Sequence, residues 1–343
     1  MSESPAISVI LPVYKGSAHL ESILSSIVTQ EADKEIVVVA DEPTDATLET
    51  AKRFEGRVRF IFNSERVGKA AALNEGVKAS SAGVLLFLDS DVEIPDGRGF
   101  LGTILAEMDG TDILDVKKEA HGRSFLERMA YYEYFGGNIM TWLFARVLGR
   151  AMVWNGSCFA IRRGALDALG GFRRKVLEDM DLSARSFVGG RTFKVARGAA
   201  IRNHVHDGWR GWLTQRKRWG FGAASWFWEW NGVIGDSAAQ NPLVGLAMFL
   251  VMGPALLMVP LYAIAAALLL APGSVLLDMV VPLLGFVAIA SLFMMFSKEL
   301  DSRFSLGEFF VYCCFYSLLN LAFLMAGFAS MTLGRDSVDG WKI

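Results

Sequence analysis

The sequence predicts an α/β fold, a doubly wound parallel sheet, followed by helices that cross a membrane. Three observations predict it. Strand and helix signals alternate from Ile7 to Leu88, the pattern of parallel strands joined by crossover helices. Acidic residues fall just past strand ends, at Asp41 and at Asp89 and Asp91, where open α/β sheets bind ligands. After Asp236 the next charged residue is Asp278, a gap longer than a soluble loop or core helix normally shows.

Taken in order, Ile7 to Leu11 is a β-branched apolar run closed by Pro12, and Leu20 to Val28 has helical spacing. Glu35 to Val39 repeats the strand signal, and Thr44 to Phe54 reads as a helix capped by Thr44 or Asp45. Val58 to Phe62 is a third strand, Lys69 to Lys78 a third helix, and Val84 to Leu88 a fourth, fully apolar strand. Charge places a soluble domain over 1–235 and a membrane domain over 236–343. In the latter, 242–271 is long enough for one tilted span that Gly253-Pro254 and Pro260 would kink. The stretches 275–296 and 309–333 are the second and third spans. Lys298 and Arg303 lie in the link between those two, so the positive-inside rule puts that link in the cytosol. The expectation is a multi-pass protein of the cell membrane, its catalytic domain cytoplasmic and Trp341 outside.

Two stretches mix aromatic and basic residues, 125–148 and 209–230, the second holding six of the nine tryptophans. Segments of this kind settle at the lipid headgroups, although an ordinary core helix has the same composition. A net charge of −2 speaks against a nucleic-acid partner. Cys158, Cys313 and Cys314 make neither a disulfide framework nor a zinc spacing, which suits a reducing, cytosol-facing domain. Met1 to Ala6 is polar and leads directly into a strand pattern, so no signal peptide is expected.

Four constellations can carry chemistry. Asp89-Ser90-Asp91 sets two carboxylates one residue apart beyond a strand, enough to hold a divalent cation that clamps a diphosphate. A strand-end turn has the same letters. Asp41, in Asp41-Glu42-Pro43-Thr44-Asp45, can accept hydrogen bonds from a nucleobase edge, or the run is an Asx-turn and helix cap. Glu178-Asp179-Met180-Asp181 offers a general base, or an acid-rich helix start. Gln215-Arg216-Lys217-Arg218-Trp219 combines guanidinium forks, which suit a diphosphate, with an indole, which suits a sugar face. His204 and His206, one residue apart, could join a metal site or be interfacial.

The order PVYKG (12–16), DEPTD (41–45), RVGKAAALN (66–74), DSD (89–91), NGSCFAIRR (155–163), GGF (170–172), LEDMDL (177–182) and QRKRW (215–219) resembles family 2 glycosyltransferases, in particular the membrane-integrated branch of cellulose, chitin and hyaluronan synthases. The resemblance covers roughly 7–230. It implies a GT-A-type, Rossmann-like nucleotide-sugar domain followed by C-terminal transmembrane helices. It also implies that Pro12, Tyr14, Asp41, Lys69, Asp89, Gln215, Arg216 and Arg218 bind the donor nucleotide. Asp91, with Asp89, would ligate Mg²⁺ or Mn²⁺, Asp179 would be the general base, and Trp219 with Glu178 would form the acceptor site. Ala40 and Glu42-Pro43 depart from the family's Asp-Asp-Gly-Ser motif, which leaves a UDP-sugar and a GDP-sugar both open.

An inverting transfer follows chemically. A sugar hydroxyl attacks the anomeric carbon in line, a base takes its proton, and positive charge stabilises the departing diphosphate. The acceptor expected is a growing glycan, or alternatively a polyprenyl phosphate or other lipid-linked sugar. Three spans enclose a polymer poorly, so an oligomer or membrane partner goes with the first option. A degenerate scaffold would have lost catalytic acids, and Asp89, Asp91 and Asp179 are present.

Overall fold

In the computed structural model the described residues are 4–95, 97–120, 122–205, 208–242, 245 and 275–334. The expected alternation is there: β1 (Ile7–Tyr14), α1 (Leu20–Val28), β2 (Lys34–Asp41), α2 (Asp45–Arg53), β3 (Arg59–Asn63), α3 (Lys69–Lys78) and β4 (Val84–Leu88). These four strands are parallel, in the order β3-β2-β1-β4. Alternate residues of β2 serve opposite faces, as a doubly wound sheet requires. Ile36, Val38 and Ala40 join the cluster that holds Leu20, Ile23, Leu24 and Ile27 of α1. Val37 and Val39 pack with Ala72 of α3.

β1 does not stop at Pro12. Its register with β4 covers only Ile7 to Ile10, while its register with β2 runs on through Pro12 to Tyr14. Beyond Ile10 the strand is therefore an edge on one side, where a residue without an N–H is tolerated.

The second half of the sheet corrects the all-parallel expectation. It is built from β5 (Val92–Glu93), β6 (Ile113–Ala120), β7 (Cys158–Arg162) and β8 (Phe193–Asn203), and it completes the order β4-β7-β6-β8-β5. β7 is antiparallel to both β4 and β6, and β5 to β8, whereas β6 and β8 are parallel. The chain leaves β6 and re-enters at β7 from the same end, so no crossover is made and the pair runs in opposite directions. The remaining helices of this half are α4 (Phe100–Glu107), α5 (Phe125–Leu143), α6 (Arg163–Ala168) and α7 (Glu178–Val188).

Contacts divide the chain into two compact units, and the division is not at 235. One unit comprises Met1–His121 and Thr141–His204. The other comprises Gly122–Met140 and Val205–Arg335, so most of α5 groups with the C-terminal helices. Those helices are α8 (Trp209–Gln240), α9 (Val275–Glu299) and α10 (Leu306–Thr332), the last containing one π turn at Tyr312–Tyr316. α8 and α10 cross closely at two glycines. A Cβ on Gly220 would lie 2.4 Å from the Phe323 carbonyl oxygen, and one on Gly327 would lie 2.5 Å from that of Gly220. Small residues at a crossing let two backbones touch, a common device in membrane helices.

Among the described residues one helix, α10, is long and apolar enough to cross a membrane. The expected span 275–296 falls within the helix α9, and 309–333 within α10 but for its last residue. The expected span 242–271 lies, apart from Pro242 and Gly245, outside the described residues. In the aromatic stretches Tyr132, Phe135, Phe144 and Trp212 are fully buried, Trp226 is nearly so, and Trp219 and Trp230 are half-buried. Trp209 and Trp228 are exposed.

Candidate active site

The C-terminal ends of β1, β2 and β4, the start of β7 and the start of α7 assemble one acidic and one basic group after another. Asp89, at the end of β4, is half-buried, and its Oδ1 pairs with the Lys69 ammonium at 2.8 Å. The same ammonium reaches Glu178 Oε1 at 2.9 Å. Lys69 opens α3, so this helix ties the donor-side acid to the start of α7. Burial pulls the Lys69 ammonium down, but Asp89, Glu178 and Asp179 together outweigh it and hold the group above its usual range.

Asp179 follows Glu178. Its Oδ2 accepts the Gly156 N–H at 2.7 Å, and its Oδ1 accepts the Met180 N–H at 2.8 Å. Desolvation pushes its carboxyl up and the neighbouring Glu178 charge adds to this. Lys69 and the two amides oppose them, and the balance stands at about 6. A carboxylate poised there can take a proton near neutral pH. Asp181 has a different task. It pairs with Arg185 one turn on at 2.7 Å, and Arg185 donates to the Gly171 carbonyl at 2.9 Å and to that of Leu169. The start of α7 is thereby bolted to the Gly170-Gly171-Phe172 turn. Asn74 of α3 clamps the far side of that turn, accepting the Phe172 N–H at 2.9 Å and donating to its carbonyl at 2.8 Å.

The Asp89-Ser90-Asp91 turn is fixed at each residue. The Asp89 N–H donates to Ser157 O at 2.9 Å, the Ser17 hydroxyl to Ser90 O, and the His204 N–H to Asp91 O at 2.9 Å. Asp91 is exposed. Two carboxylates suit Mg²⁺ or Mn²⁺, which complete their shells with water and substrate phosphate oxygens. Among the described residues no three His, Cys, Asp or Glu side chains gather as a closed metal set, so the pair fits a cation delivered with a diphosphate. His204 stacks face to face on His19, with ring centroids 3.7 Å apart. His206 lies outside the described residues.

Two sequence expectations change. Asp41 is buried with its carboxylate engaged: Oδ2 accepts the Val67 and Gly68 N–H groups at 3.1 and 2.9 Å, and Oδ1 accepts the Asn63 amide at 3.1 Å. It braces the loop that starts α3. Glu42, which stands where the family's motif has glycine, adopts the left-handed conformation with φ of 47°. Pro12 is half-buried, and Tyr14 is exposed with the Arg66 guanidinium 4.1 Å above its ring. A cavity of about 320 Å³ is lined by Lys15, Ser17, Thr44 and Thr47, with none of Asp89, Asp91, Glu178 and Asp179 on its wall.

The second change is Arg216. It belongs to the other unit, is buried, pairs with Glu133 of α5 and donates to the Tyr316 hydroxyl at 2.9 Å. Its guanidinium also lies 4.5 Å from the centroid of the Trp219 ring. Arg216 is thus a cross-brace of α5, α8 and α10. Gln215, Arg218 and Trp219 are partly exposed on the same helix. Sequence reasoning missed Gly156 and Asn74, whose contributions are a backbone amide and a clamp on a turn.

Comparison with known proteins bears on the family and the fold. The chain is similar to the probable glycosyltransferase YdaM of Bacillus subtilis, 27% identical over 243 residues, which cover 65% of this chain and 56% of that protein. It is similar to the poly-beta-1,6-N-acetyl-D-glucosamine synthase of Staphylococcus epidermidis, 37% identical over 97 residues covering 27% and 24%. The chain thus spans about half the length, or less, of these curated relatives. Its fold matches that of the mannosyltransferase PcManGT from Pyrobaculum calidifontis, solved with GDP-Man and Mn²⁺, with a TM-score of 0.61 over 98% of this chain and 89% of that one at 19% identity. The model of glycosyl transferase family 2 matches residues 8–170. Residues 8–170 are a family 2 glycosyltransferase domain.

Proposed function

We propose that this chain is a membrane-bound, metal-dependent, inverting glycosyltransferase that moves a sugar from a nucleotide-diphosphate sugar to a growing glycan. The observation that carries the reading is Asp179: a carboxylate held at about 6 between two backbone amides, one residue from Glu178 and linked through Lys69 to Asp89. In this reading the acceptor hydroxyl gives its proton to Asp179 as its oxygen attacks the anomeric carbon. The bond to the diphosphate breaks on the opposite face, so the anomeric centre inverts. Asp89 and Asp91 would hold Mg²⁺ or Mn²⁺, which supplies charge to the departing diphosphate. Lys69 neutralises Glu178, so that the base faces one uncompensated negative neighbour fewer. Tyr14 offers a ring for the nucleobase, and Gln215, Arg218 and Trp219 are assigned to the diphosphate and acceptor sugar. The donor is a UDP- or GDP-sugar; the fold neighbour was solved with GDP-Man and Mn²⁺, ligands of the same chemical class.

In this reading α10 crosses the bilayer and holds the chain at the membrane. The length and apolarity of α10, and the exposure of its Phe310, Phe315 and Met325, support this. A second reading has polyprenyl phosphate as acceptor. It is favoured by Arg173 and Arg174, which are exposed between the Gly-Gly-Phe turn and the base helix, where a lipid phosphate could be met by guanidinium groups.

The test is nucleotide release by the full chain in detergent from a panel of UDP- and GDP-sugars, with and without acceptor. Chelation is expected to stop release and Mn²⁺ or Mg²⁺ to restore it. Asp179→Asn is expected to cost ~10²-fold or more in turnover while donor affinity holds. Full turnover in excess chelator, or in Asp179→Asn, defeats the proposal.

A further inference from the structure

The turn Asn155-Gly156-Ser157, which leads into β7, touches both acids of the site. Its Gly156 N–H donates to Asp179 Oδ2 at 2.7 Å, and its Ser157 carbonyl accepts the Asp89 N–H at 2.9 Å. The turn is itself held. The Ser157 N–H donates to Asn155 Oδ1 at 2.9 Å, and the buried Ser157 hydroxyl lies 3.3 Å from Asn203 Oδ1 at the end of β8.

Glycine at 156 is not demanded by the backbone, which lies outside the left-handed region there. It is demanded by proximity. A Cβ at 156 would fall 2.6 Å from Asp179 Cβ and 2.7 Å from Asp179 Oδ2, distances that real Cβ atoms do not show. The neighbour that would have to give way is the side chain assigned to proton transfer. The missing side chain is therefore explained by the close approach of α7.

We propose that Gly156 is a positioning residue for the transfer: its amide fixes the rotamer of the Asp179 carboxylate, and its lack of a Cβ lets that carboxylate dock against the turn that also holds Asp89. The inference rests on reading Asp179 as the base. With one lone pair on Oδ2 given to Gly156 and one on Oδ1 to Met180, the remaining lone pairs face the acceptor in a set direction. A donated N–H favours the ionised form, so the same contact helps to keep the base charged against Glu178, while Lys69 and, through it, Asp89 complete the charges around it.

Gly156→Ala in the full chain should lower kcat about 10²-fold, the usual result of misplacing a reacting group by an ångström. The donor KM should stay within about twofold, and the acid limb of the kcat profile should move to higher pH. Asn155→Ala loosens the turn without adding volume, and should shift the limb in the same direction with a smaller loss. A wild-type kcat and acid limb in Gly156→Ala overturns the inference. So does a loss of kcat and donor affinity together with the limb unmoved, since that is a damaged fold and not a displaced base. If Gly156→Ala does not fold, Asn155→Ala decides by the position of its limb. Asp179→Asn separates the two ideas: turnover in that variant removes the base itself, whereas an inactive Asp179→Asn beside a normal Gly156→Ala removes only the positioning role.

Discussion

A carboxyl that stands at about 6 in the folded protein has an ordinary value of 3.8. For Asp179 the folded value is raised, so its contribution to stability is fully present below the unfolded value and is lost as pH rises through about 6. The charge that makes a base at neutral pH thus costs the fold something there. Relative to Asp179→Asn, the wild type should lose stability between about pH 4 and pH 7, by on the order of 1–3 kcal/mol. The amide adds a constant offset, because its NH₂ must face one of the two N–H donors. Thermal unfolding of both proteins across that range checks it, and parallel curves would show that Asp179 is not raised. The sequence made Asp179 legible because acidic letters stand out in LEDMDL. It hid Gly156 because the group that acts is a backbone N–H, which every residue but proline carries and no letter announces. Asp41 was legible as an acid at a strand end, but not as a brace, since its partners Val67 and Gly68 also offer only amides.

Among the elements, β6 holds the costliest arrangement. Lys118 and Asp115 are both buried and form an ion pair across the strand's irregular register, with Cys158 of β7 close by. Burial raises the Asp115 carboxyl despite the Lys118 ammonium beside it. Removing one partner leaves a buried charge uncompensated, so Lys118→Met alone should destabilise by about 3–5 kcal/mol. Asp115→Leu with Lys118→Met should recover most of that loss, because two apolar groups need no partner. Denaturant midpoints of the single and double variants test this, and equal losses in both would mean that the pair is not coupled. The apolar runs for β1 to β4 and the helices between them were readable because length and period leave little choice. The direction of β7 was not. Cys-Phe-Ala-Ile-Arg is the same apolar run whichever way it pairs, and the long excursion through α5 conceals that both ends of the connection lie at one end of the sheet.

At the scale of the whole molecule, the charge gap after Asp236 placed the boundary between units too simply. Most of α5 precedes that gap by a hundred residues in sequence and yet packs with α8, α9 and α10, because Glu133, Phe135 and Tyr132 find their partners there. With α10 in the bilayer, the full chain should stay with the membrane pellet in high salt and be released by detergent. Release by high salt alone would take α10 out of the membrane. The Glu133–Arg216–Tyr316 brace has a further consequence during synthesis. Glu133 leaves the ribosome 83 residues before Arg216 and 183 before Tyr316. At about 5–20 residues per second the carboxylate waits about 4–17 s for its cation and about 9–37 s for the phenol. Throughout that interval the aromatic face of α5 is a nascent segment whose central acid still lacks the Arg216 and Tyr316 partners of the folded chain.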